Sequence, residues 1–234
     1  KKNNTYANWE EQPYLIFPLQ TGITPAALQE AVFEKYIHTM TVKDKGHLNT
    51  GMMGTQITFD YLLENNRNDL IDIMVNQKTY PGWGYMVEKG ATTCWEQWNG
   101  YYSQIHSCFP YIGGWFYRGL AGIQWDTENP GFKNIVLRPA LVKSVDWVNC
   151  SYGSPYGEIV SNWKTKAGAF EWEVSIPPNS TATVFLPGKE VLVDGVKISE
   201  IKEISFLRKE DNSSVFKVEA GEYIFSSKLR RDSF

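Results

Sequence analysis

Cysteine is scarce in this chain: Cys94, Cys108 and Cys150 are the only three in 234 residues. The number is odd and no pair has the C-x-x-C spacing, so neither a disulfide framework nor a thiolate zinc or redox site is indicated. Each reads as a free, mostly buried thiol, and nothing around Cys94 supports a nucleophile there. Three scattered histidines give no zinc set, and the carboxylates lack calcium-loop spacing. No metal site is therefore expected. Excess positive charge is also missing, with 23 Lys and Arg against 26 Asp and Glu and no basic stripe. That argues against nucleic acid as a partner. There is no apolar run long enough to span a bilayer, so no membrane role is expected. The opening KKNNTYANWEEQ lacks the apolar core of a signal peptide. A processed N-terminus would look the same. A periplasmic or secreted location fits best, and a cytoplasmic one stays open.

What is abundant is apolar and aromatic. Apolar residues make up 42%, aromatic residues 15% and charged residues 21%, the composition of a folded globular chain. The aromatics concentrate in Tyr80–Gly100, YPGWGYMVEKGATTCWEQWNG, which holds Trp83, Trp95 and Trp98 around the carboxylate of Glu96, with Glu88 nearby. Glycine and proline make one regular element implausible there. Aromatic faces beside a carboxylate suit an enzyme that holds and acts on a sugar ring. A buried loop whose tryptophans fill a core is the plainer reading.

Before this stretch the periodicity is helical. An irregular entry over 1–23, ending a helix at PYLIFPLQTG, leads to Thr24-Pro25, which predicts an N-cap and first helical residue for a helix over 25–40. Its inward residues are Leu28, Ala31, Val32, Phe33, Tyr36 and Ile37, and Glu30 and Glu34 lie on its solvated face. A glycine-rich loop over 43–54 carries His47 and Asn49. Helices are expected over 55–64, with Asp60 solvated, and over 69–77, with Leu70, Ile73, Met74 and Val75 inward. After the aromatic stretch, GGWFYRGLAGI at 113–123 reads as a glycine-packed helix with Trp115 in the core.

The pattern changes after Ile123. Runs at 135–137, 158–163, 170–176, 181–186, 191–193, 216–218 and 223–225 read as strands, with Trp172, Val174 and Ile176 sharing one face and a hairpin turn at Asp194-Gly195. Trp125, Trp147, Trp163 and Trp172 read as sandwich core or interdomain packing, and KLRRDSF as a frayed end. The expectation is two domains, mainly α over 1–123 and an antiparallel β-sandwich over 124–234.

The run PGWGYMVEKGATTCWEQWNG resembles the signature of the bacterial α-L-rhamnosidases of glycoside hydrolase family 78. Gly90-Ala91-Thr92-Thr93-Cys94-Trp95-Glu96-Gln97-Trp98 matches its order, with Cys94 where an aliphatic residue is usual. Ser103, His106, Tyr111 to Gly114, Trp115, Arg118 and Ala121-Gly122-Ile123 continue the match, and His47-Leu48-Asn49-Thr50-Gly51 with Gly54-Thr55 resembles the loop before it. The likeness runs on weakly through Pro155-Tyr156-Gly157, Trp163 and the Pro177-Pro178 and Pro187 strand ends.

The resemblance implies an (α/α)6 barrel followed by a β-sandwich, and inverting release of terminal α-L-rhamnose from a glycoside or polysaccharide, a hydrolysis that needs no cofactor. It implies Glu96 as general base and Trp83, Trp95, Trp98 and His106 as substrate-binding residues. Inversion needs a second carboxyl, an acid, roughly 6.5–9.5 Å from the base so that water fits between. The family's acid lies in an Asp- and Arg-rich segment that residues 1–46 do not contain, where Glu10, Glu11, Glu30 and Glu34 are the glutamates. A full barrel also needs about twice the helices seen here. The chain is therefore expected to be the C-terminal half of the barrel plus the sandwich, inactive alone and completed by the preceding remainder of the same polypeptide. The alternatives are a non-catalytic carbohydrate-binding or scaffold fragment, or a related-barrel enzyme acting on another sugar.

Overall fold

The computed structural model describes residues 10–229. Residues 1–9 of the expected irregular entry and the fraying of KLRRDSF beyond Leu229 lie outside the described residues, and most of the rest of that entry is regular helix, Gln12–Gln20, rather than irregular. Two compact units follow one another, the first ending at Trp115 and the second beginning at Phe116.

The first unit is helical. Helix α1 (Gln12–Gln20) buries Gln12, Leu15, Ile16 and Leu19, the i, i+3, i+4, i+7 stripe of an amphipathic helix. Helices α2 (Ala26–His38) and α3 (Gly51–Glu64) pack against it. Tyr36, Phe59 and Leu62 are fully buried there, each contributing on the order of 1.5–3 kcal/mol through its apolar surface. Short helices α4 (Asn68–Val75), α5 (Trp83–Glu88) and α6 (Ile112–Trp115) complete it.

Several boundaries differ from the sequence reading. Pro25, not Thr24, occupies the N-cap of α2, and no side chain caps it. The helix gives way to a wider π turn at Thr39–Lys43. Helix α3 starts at Gly51, four residues before the expected 55, so the last four residues of the predicted loop are helical. In α4, Ile73 is 39% exposed while Ile71 is fully buried. Leu28 is 38% exposed rather than inward. The helix expected over 113–123 stops early: α6 ends at Trp115, a π turn covers Phe116–Leu120, and the chain is extended by Ile123. The reason is local. Gly122 adopts φ +72° and lies so close to Arg138 and Pro139 that a Cβ would stand 2.2–2.4 Å from their backbone.

The second unit is a nine-stranded, mostly antiparallel sheet among the described residues. Its strands are β1 (Ile123–Trp125), β2 (Asn134–Leu137), β3 (Trp147–Ser154), β4 (Gly157–Lys166), β5 (Ala169–Pro187), β6 (Lys189–Val193), β7 (Val196–Lys197), β8 (Ile204–Glu210) and β9 (Ser213–Lys228). The expected strands at 170–176 and 181–186 are one strand, β5, and those at 216–218 and 223–225 are one strand, β9. Their pairing shifts register between Ile176 and Thr181. The first half of β5 joins β4 and the end of β9, and its second half joins β2 and the start of β9. Both halves feed one core: Trp172, Val174 and Ile176 with Ala182, Val184, Leu186, Phe216, Val218 and Phe225. That bend makes one sheet into the two layers of a sandwich. The β2–β5 pairing is parallel, the exception to the antiparallel pattern.

A buried relay fixes the start of this unit. Ser161 Oγ–H donates to Ala121 O at 2.6 Å and accepts from Trp172 Nε1–H at 2.9 Å, and Trp163 Nε1–H donates to Leu120 O at 2.7 Å. Trp163 and Trp172 are core as expected. Trp147 and Trp125 are not, being 64% and 43% exposed, and Trp125 lies under the Arg118 guanidinium at 4.8 Å.

Candidate active site

The aromatic stretch is held from both sides. Gly82 and Gly84 approach Gln77 O so closely that a Cβ on either would stand 2.7 or 2.6 Å from it. His47 holds the loop next to them: Nδ1–H donates to Pro81 O at 2.7 Å and Nε2 accepts from the Thr79 hydroxyl at 3.0 Å. His47 is held in turn by fully buried Gln12, whose Nε2–H₂ donates to His47 O and to Asp44 Oδ2, both at 2.8 Å. Both ring nitrogens of His47 are thus used within the protein.

Two arms, 94–96 and 103–106, face each other. Glu96 N–H donates to Ser103 O at 2.9 Å and His106 N–H to Cys94 O at 3.0 Å. Thr93 Oγ1–H donates to Gln104 O on the same seam. Between the arms the chain turns through Gly100, whose φ of +76° suits glycine and which lies so near the Trp95 ring that an added Cβ would stand 3.0 Å from it. The Glu96 carboxylate, half-buried, accepts Ser103 N–H on Oε2 at 3.2 Å. Its Oε1 has no hydrogen bond among the described residues.

The predicted aromatic residues separate into two groups. Trp83 and Trp98 meet edge to face with centroids 5.0 Å apart, and Trp98 stacks on Phe109 at 3.8 Å. Trp83 is 7% exposed, donates through Nε1–H to Phe109 O at 3.2 Å and meets Phe59 edge-on at 5.7 Å. Trp98 is half-buried and closer to solvent. Trp95 is 8% exposed, under Gly100. Glu88 is exposed and faces Lys78 at 3.8 Å.

His106 is half-buried, with Nδ1 2.8 Å from Cys108 Sγ. Burial pushes the Cys108 thiol up, and the negative charge of Glu96 adds to it. That places Glu96, His106 and Cys108 in one electrostatic neighbourhood. Burial pushes the Cys94 thiol up as well, which opposes a nucleophilic role. Asp60, expected to be solvated, is half-buried and accepts the Tyr111 hydroxyl proton. Sequence reasoning missed Cys108 and Phe109 as parts of this region. Their signal was spacing: Cys108 is two residues after His106, and Phe109 is the apolar residue that follows. No group of three or more His, Cys, Asp or Glu able to hold a metal occurs among the described residues.

The comparisons with known proteins agree along the chain. Residues 2–120 match the bacterial α-L-rhamnosidase six-hairpin glycosidase domain, and residues 122–199 match the bacterial α-L-rhamnosidase C-terminal domain. An α-L-rhamnosidase of Streptomyces avermitilis is 28% identical over 228 residues, covering 93% of this chain and 21% of the relative. One from Alteromonas sp. is 31% identical over 195 residues, covering 79% of this chain and 21% of the relative. The crystal structure of the Streptomyces avermitilis enzyme complexed with L-rhamnose superposes with a TM-score of 0.83 at 28% identity, over 94% of this chain and 22% of that one. The chain therefore spans about a fifth of the length of the curated relatives it matches. With one domain model over each of its two parts, the chain belongs to the bacterial α-L-rhamnosidase family.

Proposed function

We propose that this chain supplies the general-base half of an inverting α-L-rhamnosidase. The carrying observation is Glu96: a carboxylate fixed on one oxygen by Ser103 N–H at 3.2 Å, with the other oxygen unbonded among the described residues and aromatic side chains on either side in sequence. In this reading Oε1 accepts a proton from water as that water attacks the anomeric carbon. The aglycone oxygen leaves on the opposite face, protonated by an acid from a part of the polypeptide outside this chain. The fixed oxygen keeps the base aimed, so little orientation is lost on reaching the transition state.

Trp98 and Trp95 form the wall that excludes bulk water around the base. Trp83 acts with them by holding Trp98 edge to face, and presents what remains of its apolar surface to the methyl group of the deoxy sugar. In this reading the Cys108 S–H donates to His106 Nδ1, the tautomer that leaves the proton on Nε2. His106 then donates Nε2–H to a sugar hydroxyl. The division of labour places catalysis in residues 1–123 and a supporting sandwich in 124–234.

The test is a comparison of two proteins on p-nitrophenyl α-L-rhamnoside. A longer chain carrying the complete barrel cleaves it, and proton NMR of the first product shows the inverted β anomer. The 234-residue chain alone releases no nitrophenol. Activity of the short chain would overturn the missing acid, and an α anomer as first product would overturn inversion.

A further inference from the structure

The outward face of β3, β4 and the first half of β5 carries a pattern that core packing does not require. The strand registers set Trp147 beside Lys164 beside Glu171, and Asn149 beside Asn162 beside Glu173, in two adjacent rows. The residues between them point the other way, with Val148 and Cys150 packed against the core and Ser161, Trp163 and Trp172 buried in it. The six outward residues, with part of the otherwise buried Trp163 at the floor, line a cleft of about 300 Å³, within the size range of small-ligand sites. Trp147 leaves most of its indole in water, at 64% exposure.

Four of the five polar side chains beside it are already held. Asn162 Oδ1 accepts Cys150 N–H at 3.0 Å, and its Nδ2–H₂ donates to Glu173 Oε2 at 3.0 Å. Lys164 Nζ and Glu171 Oε1 are 2.5 Å apart. Side chains fixed by such contacts lose little freedom when a ligand arrives. One lysine against two glutamates disfavours phosphate or a nucleic acid backbone. Apart from the buried Trp163, the neighbours of Trp147 in the cleft are polar or charged, whereas the core of a protein interface is depleted of charge. What remains is a flat apolar face beside amide donors and carboxylate acceptors. That is the complement of a sugar ring, whose C–H face is apolar and whose edge is a row of hydroxyls.

We propose that this face binds a neutral pyranose unit of a glycan, with Trp147 under the ring and Asn149, Asn162 and Glu173 on its hydroxyls. The site lies in the sandwich unit and does not depend on the role of Glu96. The experiment uses the 234-residue chain, with each indole N–H signal assigned by Trp→Phe substitution. It is titrated with L-rhamnose, D-galactose and D-glucose, and retardation is measured in native gels holding rhamnogalacturonan or dextran. The Trp147 indole signal moves saturably with at least one sugar. Trp147→Ala weakens gel retention about tenfold or more, and Asn149→Ala weakens it less. Both variants melt as the parent does, because both side chains are exposed. The Trp147 titration is the same in Glu96→Gln, so failure of one assignment leaves the other standing. A Trp147 signal unmoved by all three sugars, or retention unchanged in Trp147→Ala, overturns the proposal. So does a Trp147 signal that moves only with protein concentration, which marks a protein partner instead.

Discussion

Glu96 and Ser103 are bonded twice. Glu96 N–H donates to Ser103 O at 2.9 Å, and Ser103 N–H donates back to Glu96 Oε2 at 3.2 Å. The side chain therefore closes a ring onto the residue that already holds its backbone. A glutamate at a loop tip normally samples many rotamers, and this one is restricted to those that keep Oε2 on the Ser103 N–H.

The charge of Glu96 is readable through Cys108. That thiol is pushed above the ordinary cysteine range, by burial first and by Glu96 second. Its reactive thiolate thus appears only at higher pH than in an unstructured peptide. Glu96→Gln removes the repulsion and not the burial, so the pH profile of Cys108 alkylation shifts toward lower pH and stays above the peptide's. Mass-resolved iodoacetamide labelling across pH measures this, and an unchanged profile would separate the two residues.

Ser161 ties the first strand to the sandwich core. Ser161→Ala leaves Ala121 O and Trp172 Nε1–H buried without their shared partner, at a cost of about 2–4 kcal/mol. Urea unfolding of the variant checks it, with a lower midpoint expected and the slope retained. An unchanged midpoint would mean that water replaces the hydroxyl.

Tyr36 predicts the opposite sign. It is fully buried and its hydroxyl has no hydrogen-bond partner among the described residues. Tyr36→Phe removes an unpaired polar atom and keeps the ring, and stabilises the helical unit by about 1 kcal/mol or more. Thermal melting of the pair decides it, and a lower midpoint in the variant would show that the hydroxyl is in fact satisfied.

These cases show what the sequence carried and what it did not. Alternation over 170–176 announced Trp172 and Val174 as inward, because a half-buried strand writes its burial locally. The aromatic and carboxylate clustering at 80–100, and its likeness to a known signature, announced the family. Strand β3 was silent because its outward Trp147 is itself apolar, so that Trp147-Val148 breaks the polar-apolar alternation at its start. The parallel pairing of Asn134–Leu137 with Thr181–Val184 was silent for another reason: strand direction is a property of two distant segments and leaves no mark in either. The same holds for Glu96 and Ser103, where a turn of seven residues sets a bond that no spacing rule encodes. The helix expected through Ile123 failed at Gly122, because its backbone is dictated by contact with Arg138 and Pro139.

The most direct measurement is turnover of a full-length enzyme bearing Glu96→Gln on p-nitrophenyl α-L-rhamnoside. Loss of a general base lowers kcat by about 10²–10⁴-fold, with the melting midpoint near the parent's. Added azide, which attacks without needing its proton removed, restores nitrophenol release and yields the β-rhamnosyl azide. Full activity in the Glu96→Gln enzyme would contradict the assignment of Glu96 as the base.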